Sequence, residues 1–419
     1  MEIHLTVLPT GLRVVTARLP GFDTACVGAF INAGSRNEAD AENGVAHFVE
    51  HMAFKGTSSR TGLDIVSEIE TLGASINAYT ATGITAYHVT GLGATVPKAI
   101  EILGDVLTDS RFDPDELEVE RDVVLQEIVR AADTPNSIAF DKYMLTAYRD
   151  QSLGRPILGR RSFVETVTAS HLRSFMQLFY TSGNTIVVGC GNVRHEPFVA
   201  RVAGAFAKLS AGPAAASPPA RWIGGMANRA SPKFLEVISV LGWNSVPKTD
   251  RRIHCHRMLA SAIGGGMSSP LFQEVREKRG LVYAIGASHD SGADFGEVYL
   301  QAGASPDKLC EVIRVSCGVL AEAGRRIGES EFRRARNQAL VNTRTVKERP
   351  FHLARYLAVN MFERGRIVLP NDDAAEIEAV TREDLIAAAQ TIVAGTPTVA
   401  FAGPAPDADY LQLIQAELA

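Results

Sequence analysis

The sequence predicts an α+β fold made of a duplicated domain, each copy a mostly antiparallel sheet packed against helices. Three observations predict it. Short alternating stretches that read as strands are mixed with helical stretches in both halves. Residues 211–220, Ala-Gly-Pro-Ala-Ala-Ala-Ser-Pro-Pro-Ala, have linker composition and divide the 419-residue chain near its midpoint. The order of elements before that segment returns after it. The expected organisation is therefore a domain over 1–210, a linker at 211–220 and a homologous domain over 221–419, each of ordinary domain size.

In order, 3–8 and 12–18 alternate around Pro9-Thr10-Gly11, a hairpin signal, and 25–33 gives a third strand. A polar loop, 34–43, leads to a helix with Asn43 as the expected N-cap. A helix over 61–72 ends at Gly73, and strands follow at 74–80 and 84–92. Helices are expected at 96–108, 113–132 (opened by Asp113-Pro114), 136–149 and 169–179, then a strand at 185–189 and a helix near 196–208. The second half repeats this order: strand 234–242, helices 251–263 and 269–278, strands 281–288 and 295–303, helices 306–323 and 329–346. Gly93-Ala94 with Pro97-Lys98 and Glu101 is echoed by Gly303-Ala304 with Pro306, Lys308 and Glu311.

Hydrophobic residues make up 46% and charged residues 21%, the balance of a soluble globular chain with ample core. A net charge of −5 gives no general attraction to nucleic acid or anionic membrane. The five cysteines form no C-x-x-C pair and sit in apolar or helical settings, so buried free thiols in a reducing compartment are expected. The N-terminus has no basic segment followed by an apolar run, and no stretch approaches the roughly 18 apolar residues of a membrane span. The expected location is the cytoplasm.

The chemistry is concentrated in Asn43-Gly-Val-Ala-His47-Phe-Val-Glu50-His51. On a helix, residues four apart leave the same face, about 5–6 Å between Cβ atoms, so two imidazoles can take two positions around a tetrahedral Zn²⁺. Glu50 lies close enough to act as a general base on water at such a site. A third ligand is needed, and the helix over 113–132 carries Glu120 and Glu127, seven apart on one face beside the apolar stripe Leu117, Val124 and Ile128. Spacing alone leaves both open, as ligands or as part of a charged face. The second half has no H-x-x-E-H; positions corresponding to Glu120 and Glu127 fall near Ala335 and Asn342. His254-Cys255-His256 has i,i+2 spacing that turns the rings apart, and reads as structural. Gly264-Gly265-Gly266 lacks the Lys-Ser/Thr of a phosphate loop, and no G-x-S-x-G elbow is present.

His47-Phe-Val-Glu50-His51 with Glu120 and Glu127 resembles the inverted-zincin signature. The runs His47–Thr57 and Gly73-Ala-Ser-Ile-Asn77-Ala78-Tyr79-Thr80 are similar to the pitrilysin and mitochondrial processing peptidase family, and the resemblance covers both halves. It implies a zinc metalloendopeptidase with one Zn²⁺ per chain, held by His47, His51 and Glu127. Glu50 would be the general base and Glu120 would support the site from behind. The edge strand at Asn77, Ala78 and Tyr79 would hold peptide by strand addition. Leu271-Phe-Gln-Glu-Val-Arg276-Glu-Lys-Arg279-Gly280-Leu-Val-Tyr283 is a second family mark, implying that Arg276 and Tyr283 donate to the substrate carbonyl as it becomes negative, with Arg279 a rival for the arginine role. The family implies two chains closing as a clamshell around a chamber that admits peptides or presequence-like segments. A homodimer is expected; a heterodimer that trims a small precursor peptide, or a non-catalytic assembly subunit, are the alternatives.

Overall fold

The computed structural model describes residues 1–227 and 233–419. Two sheets, each packed with helices, form the cores of two units. The first sheet comprises β1 (Glu2–Val7), β2 (Arg13–Arg18), β3 (Thr24–Ile31), β4 (Ser75–Thr80), β5 (Thr85–Leu92) and β6 (Thr185–Gly191), in the order β1-β2-β6-β3-β5-β4. Only β2 and β6 pair in parallel. The second comprises β7 (Gly225–Ala227), β8 (Val237–Asn244), β9 (Val282–Ser291), β10 (Gly296–Ala304) and β11 (Pro397–Ala402), in the order β7-β11-β8-β10-β9, with β7 and β11 parallel.

The duplication is visible strand by strand. In each sheet an antiparallel hairpin forms one edge (β4–β5, β9–β10) and pairs inward with a central strand (β3, β8). The central strand's other neighbour comes from much later in the chain (β6, β11), and beyond it lies a parallel partner (β2, β7).

Both faces of the first sheet are covered, which explains strands that are apolar throughout. Val14, Val27, Ile31 and Val187 face one way, against Phe48, Val49, Leu103 and Leu172. Val15, Cys26, Phe30, Ile186 and Val188 face the other, against Leu353, Leu357 and Met361. Those last three lie on the helix Pro350–Glu363, part of a C-terminal stretch beyond 346 for which the sequence reading offered no elements. Also there are helices Pro370–Ala379, Arg382–Val393 and Tyr410–Leu418, and β11.

The linker composition predicted a single cut at 211–220, but the packing units are discontinuous. The first is Met1–Val129, Arg155–Pro218 and Val346–Ile367; the second is Arg130–Gly154, Pro219–Thr345 and Val368–Ala419. The reason is burial: Ala139 and Tyr143, on the helix Pro135–Ala147, close the face of the second sheet formed by Val240, Ala400 and Ala402. Among the described residues no helix is long and apolar enough to cross a membrane.

Two local expectations are corrected. The helix expected at 269–278 forms over 270–277 but takes π geometry from Phe272 to Glu277, where Lys278 N–H reaches the Gln273 carbonyl (2.9 Å); the chain then leaves through Gly280 at φ 58°. Asn43 is not the N-cap of its helix; the helix runs Val45–Ala53 and Gly44 precedes it in the left-handed region at φ 115°.

Candidate metal centre

The helix Val45–Ala53 is fixed from its buried side. Val45, Ala46, Phe48, Val49, Met52 and Ala53 are fully buried, which leaves one narrow face for His47, Glu50 and His51. Its start is held by a residue that the sequence reading passed over as part of a polar loop. The Glu38 carboxylate accepts hydrogen bonds from the backbone N–H of Gly44 and of Ala46 (both 2.9 Å) and from Asn43 Nδ2 (2.7 Å). A carboxylate reaches two of the orphan N–H groups at once and bears charge favourable to a helix start, so it displaces Asn43 from the capping role. Asn43 instead ties Glu38 to the Pro156 carbonyl (3.1 Å). Burial pushes the Glu38 carboxyl up to about 7 against the pull of these donors. The only sequence signal for it was an acidic residue shortly before the H-x-x-E-H helix.

His47 and His51 lie one turn apart with ring centroids 4.6 Å from each other. From the helix Pro114–Ala132, Glu127 projects its Oε2 to 3.5 Å from His47 Nε2 and 3.6 Å from His51 Nε2. Two ligand atoms on a tetrahedral ion with bonds of about 2.1 Å stand about 3.4 Å apart, so the three groups fit Zn²⁺. The two histidine nitrogens and the Glu127 oxygen all lie within 4.8 Å of one another. His47 is buried, and burial first, with His51 second, pushes its ring down to about 4. The ring is thus neutral near pH 7, the form a metal requires.

Glu120 sits one layer further back. It is buried, and its Oε2 accepts from His51 Nδ1 at 2.9 Å while Oε1 is ion-paired with Lys55. Burial pushes its carboxyl up, but Lys55 and His51 outweigh burial and hold it below the ordinary range. Glu50 accepts from Thr80 Oγ1 (2.7 Å), at the end of edge strand β4. Burial pushes the Glu50 carboxyl up, the Thr80 hydrogen bond opposes this, and the nearby Glu127 adds to the rise. Thr80 and Lys55 were not singled out from sequence, because a contact 30 or 65 residues away leaves no local pattern.

Asn77, Ala78 and Tyr79 lie on β4, the outer edge of the first sheet. Asn77 Oδ1 accepts from Ala78 N–H (2.8 Å), covering an edge donor with its own side chain. The Tyr79 ring packs edge-on against Phe351 and beneath Arg355, so Tyr79 offers an incoming strand its backbone and not its phenol.

Arg276 and Tyr283 belong to the second unit. The Arg276 guanidinium lies 4.6 Å from the Phe272 ring centre and 5.4 Å from that of Tyr283, and Tyr283 is 83% exposed. Arg279 is spent on Glu274, through Nη1 to Oε2 at 2.6 Å and to the Glu274 carbonyl at 2.8 Å. Between the two arginines, Arg276 is the one turned toward Tyr283. Gly264 and Gly265 serve packing, since side chains there would strike the backbone of Ala287 and of Ser261, while Gly266 takes a left-handed φ of 119°.

Comparison with known proteins gives concordant results. Residues 13–161 match the family model for Insulinase (Peptidase family M16), and 166–339 match that of the Peptidase M16 inactive domain. A protein of Rickettsia felis named an uncharacterized zinc protease is 33% identical over 405 residues, spanning 96% of this chain and 98% of the relative. A probable mitochondrial-processing peptidase subunit beta of Arabidopsis thaliana is 33% identical over 352 residues, 80% of this chain and 66% of the relative. In fold, the chain is similar to a crystal structure from Pseudomonas fluorescens described as a peptidase M16 inactive domain, with a TM-score of 0.90, 19% identity, and coverage of 98% of this chain and 100% of that one.

Proposed function

The chain belongs to peptidase family M16, and from that premise we propose that it is a zinc-dependent endopeptidase whose centre is the His47, His51 and Glu127 cluster. The observation that carries the reading is the convergence of three ligand atoms at 3.5 and 3.6 Å beside a half-buried carboxylate, Glu50, that is not itself one of the three. Zn²⁺, when bound, supplies Lewis acidity toward the scissile carbonyl and lowers the pKa of water. Glu50, held by Thr80, takes the proton from the attacking water and delivers it to the departing amine. Glu120 orients His51 by accepting its Nδ1–H. The peptide lies along β4 by strand addition, and Asn77 must swing off Ala78 N–H to admit it. Arg276 and Tyr283 donate to the oxyanion from the facing subunit of a dimer. Peptide profiling of the purified chain tests the reading: cleavage should vanish with a chelator and return with Zn²⁺, and cleavage indifferent to chelation overturns it.

The dimer is read as a homodimer with shared sites, since both residue sets occur in one chain. Mixing Glu50→Gln protein with an Arg276→Ala, Tyr283→Ala protein, each inactive alone, should restore activity to at most about a quarter of wild type, because half the dimers are mixed and each has one competent site. The second reading is a heterodimer with a related chain; the Arabidopsis relative is named as a subunit, which favours it. Full activity of the Arg276→Ala, Tyr283→Ala protein by itself would remove these residues from the catalytic set, and activity that appears only when a related chain is added would select the second reading.

A further inference from the structure

The second unit carries another cluster of ligand atoms, and it does not involve the H-x-x-E-H helix. His254 opens the buried helix Ile253–Gly264, and Asp373 and Glu376 lie on the helix Pro370–Ala379. Three apart on one helix, the two carboxylates share a face. His254 Nε2 stands 3.2 Å from Glu376 Oε2 and 3.5 Å from Asp373 Oδ1, and all three ligand atoms lie within 4.8 Å of each other. These spacings match those of the His47, His51 and Glu127 cluster, 3.5 and 3.6 Å, and bracket the separation of about 3.4 Å for two ligands on one tetrahedral ion.

A second observation points to a ligand. His254 is only 4% exposed, and its buried Nε2 makes no hydrogen bond although two carboxylate oxygens lie close. A buried ring nitrogen without a hydrogen bond is costly. An ion placed between the three groups would satisfy it. His256, two residues on, turns elsewhere and pairs through Nδ1 with Ser245 Oγ at 2.8 Å, so the His-Cys-His tract divides between two unrelated settings. Asp373 is buried while the Glu376 side chain is 45% exposed, which gives the cluster one open side for entry and for water as a further ligand.

We propose that His254, Asp373 and Glu376 form a second cation site, for a first-row divalent ion such as Zn²⁺ or Mn²⁺, which pins the helix Pro370–Ala379 to the helix Ile253–Gly264. One imidazole and two carboxylates suit that class of ion better than Ca²⁺ or Mg²⁺, which prefer oxygen ligands alone. The site stands whether or not the chain is a peptidase.

The test uses the full chain with the first cluster removed, His47→Ala with His51→Ala. Equilibrium dialysis against Zn²⁺, followed by elemental analysis, should find about one ion per chain in this variant. Zn²⁺ should also raise its melting temperature, because an ion that binds only the native form stabilises it. Adding Glu376→Gln, at an exposed position where the fold is least at risk, should abolish the thermal shift and lower the bound ion severalfold. Adding His254→Gln should abolish both. In Mn²⁺ titrations, the free-ion paramagnetic resonance signal should be quenched by the double variant and not by the triple ones. If the double variant binds no ion, His254 is an ion-paired structural histidine and the proposal is overturned. If bound ion persists unchanged through Glu376→Gln and His254→Gln, the ion is held elsewhere and the proposal fails equally.

Discussion

His51 donates its Nδ1–H to Glu120 at 2.9 Å, and this hydrogen bond decides what the other ring nitrogen can do. With Nδ1 engaged by Glu120, Nε2 is the ring nitrogen turned to the cluster, where it faces Glu127 Oε2 at 3.6 Å. Lys55 on the second oxygen of Glu120 keeps that carboxylate charged and in place. The two glutamates of one helix therefore stand in different places, Glu127 beside both imidazoles and Glu120 behind His51.

Their substitution should separate those roles. Glu127→Gln should remove most bound zinc, whereas Glu120→Gln should weaken zinc affinity by about 10–100-fold and leave the ion bound at saturating metal. Competition titration with a chromophoric chelator reads both. Equal, undiminished affinity in the two variants would remove Glu127 from the ligand set.

Glu50→Gln should retain zinc at the wild-type level and lose hydrolysis, since an amide accepts Thr80's hydrogen bond but cannot take a proton. Because burial holds the wild-type carboxyl above its ordinary range, the acid limb of kcat/KM should lie higher than for an exposed glutamate, with activity lost as pH falls through it. Retention of more than a few per cent of activity by the variant would assign the base elsewhere.

Glu38→Ala should destabilise the first unit by about 1–3 kcal/mol, because the N–H groups of Gly44 and Ala46 then lose their acceptor inside the protein. Glu38→Gln keeps one acceptor oxygen and should cost less. Both effects should appear in denaturant unfolding and, through the helix they anchor, in zinc affinity. An unchanged unfolding midpoint in Glu38→Ala would show that water replaces the carboxylate there.

In the second unit, Glu297 is fully buried, with Oε2 accepting from the Tyr143 hydroxyl (3.2 Å) and Oε1 without a hydrogen-bond partner. Burial first, then the charge of Asp290, pushes its carboxyl from the ordinary 4.5 up to about 8. Below pH 4.5 the group is protonated in folded and unfolded chains alike and contributes no slope. Between about 4.5 and about 8 the unfolded chain ionises while the folded chain keeps its proton, so stability falls with rising pH, by up to about 1.4 kcal/mol per unit. Glu297→Gln lacks that proton and should gain on wild type steadily across the window. Urea midpoints that stay parallel from pH 5 to pH 8 would contradict the buried neutral acid.

The sequence by itself determined the α+β class, the duplication and the pairing of His47 with His51 on one helix face. That information is local: period-two and period-3.6 patterning decides strand and helix, and H-x-x-E-H encodes its own geometry through the four-residue repeat of a helix. Glu120 and Glu127 were visible as a pair for the same reason, although only contact with His51 separates their roles. Tertiary structure decided what depends on distant partners. Glu38 replaced Asn43 at the helix start because a fold-back of the preceding loop brings a longer acidic side chain to the N–H groups. The helices Pro135–Ala147 and Pro350–Glu363 joined units other than those their places in the chain suggest, because each sheet has two faces to bury and the nearest helices cover only one. His254 met Asp373 and Glu376 across more than a hundred residues, a pairing that only packing creates.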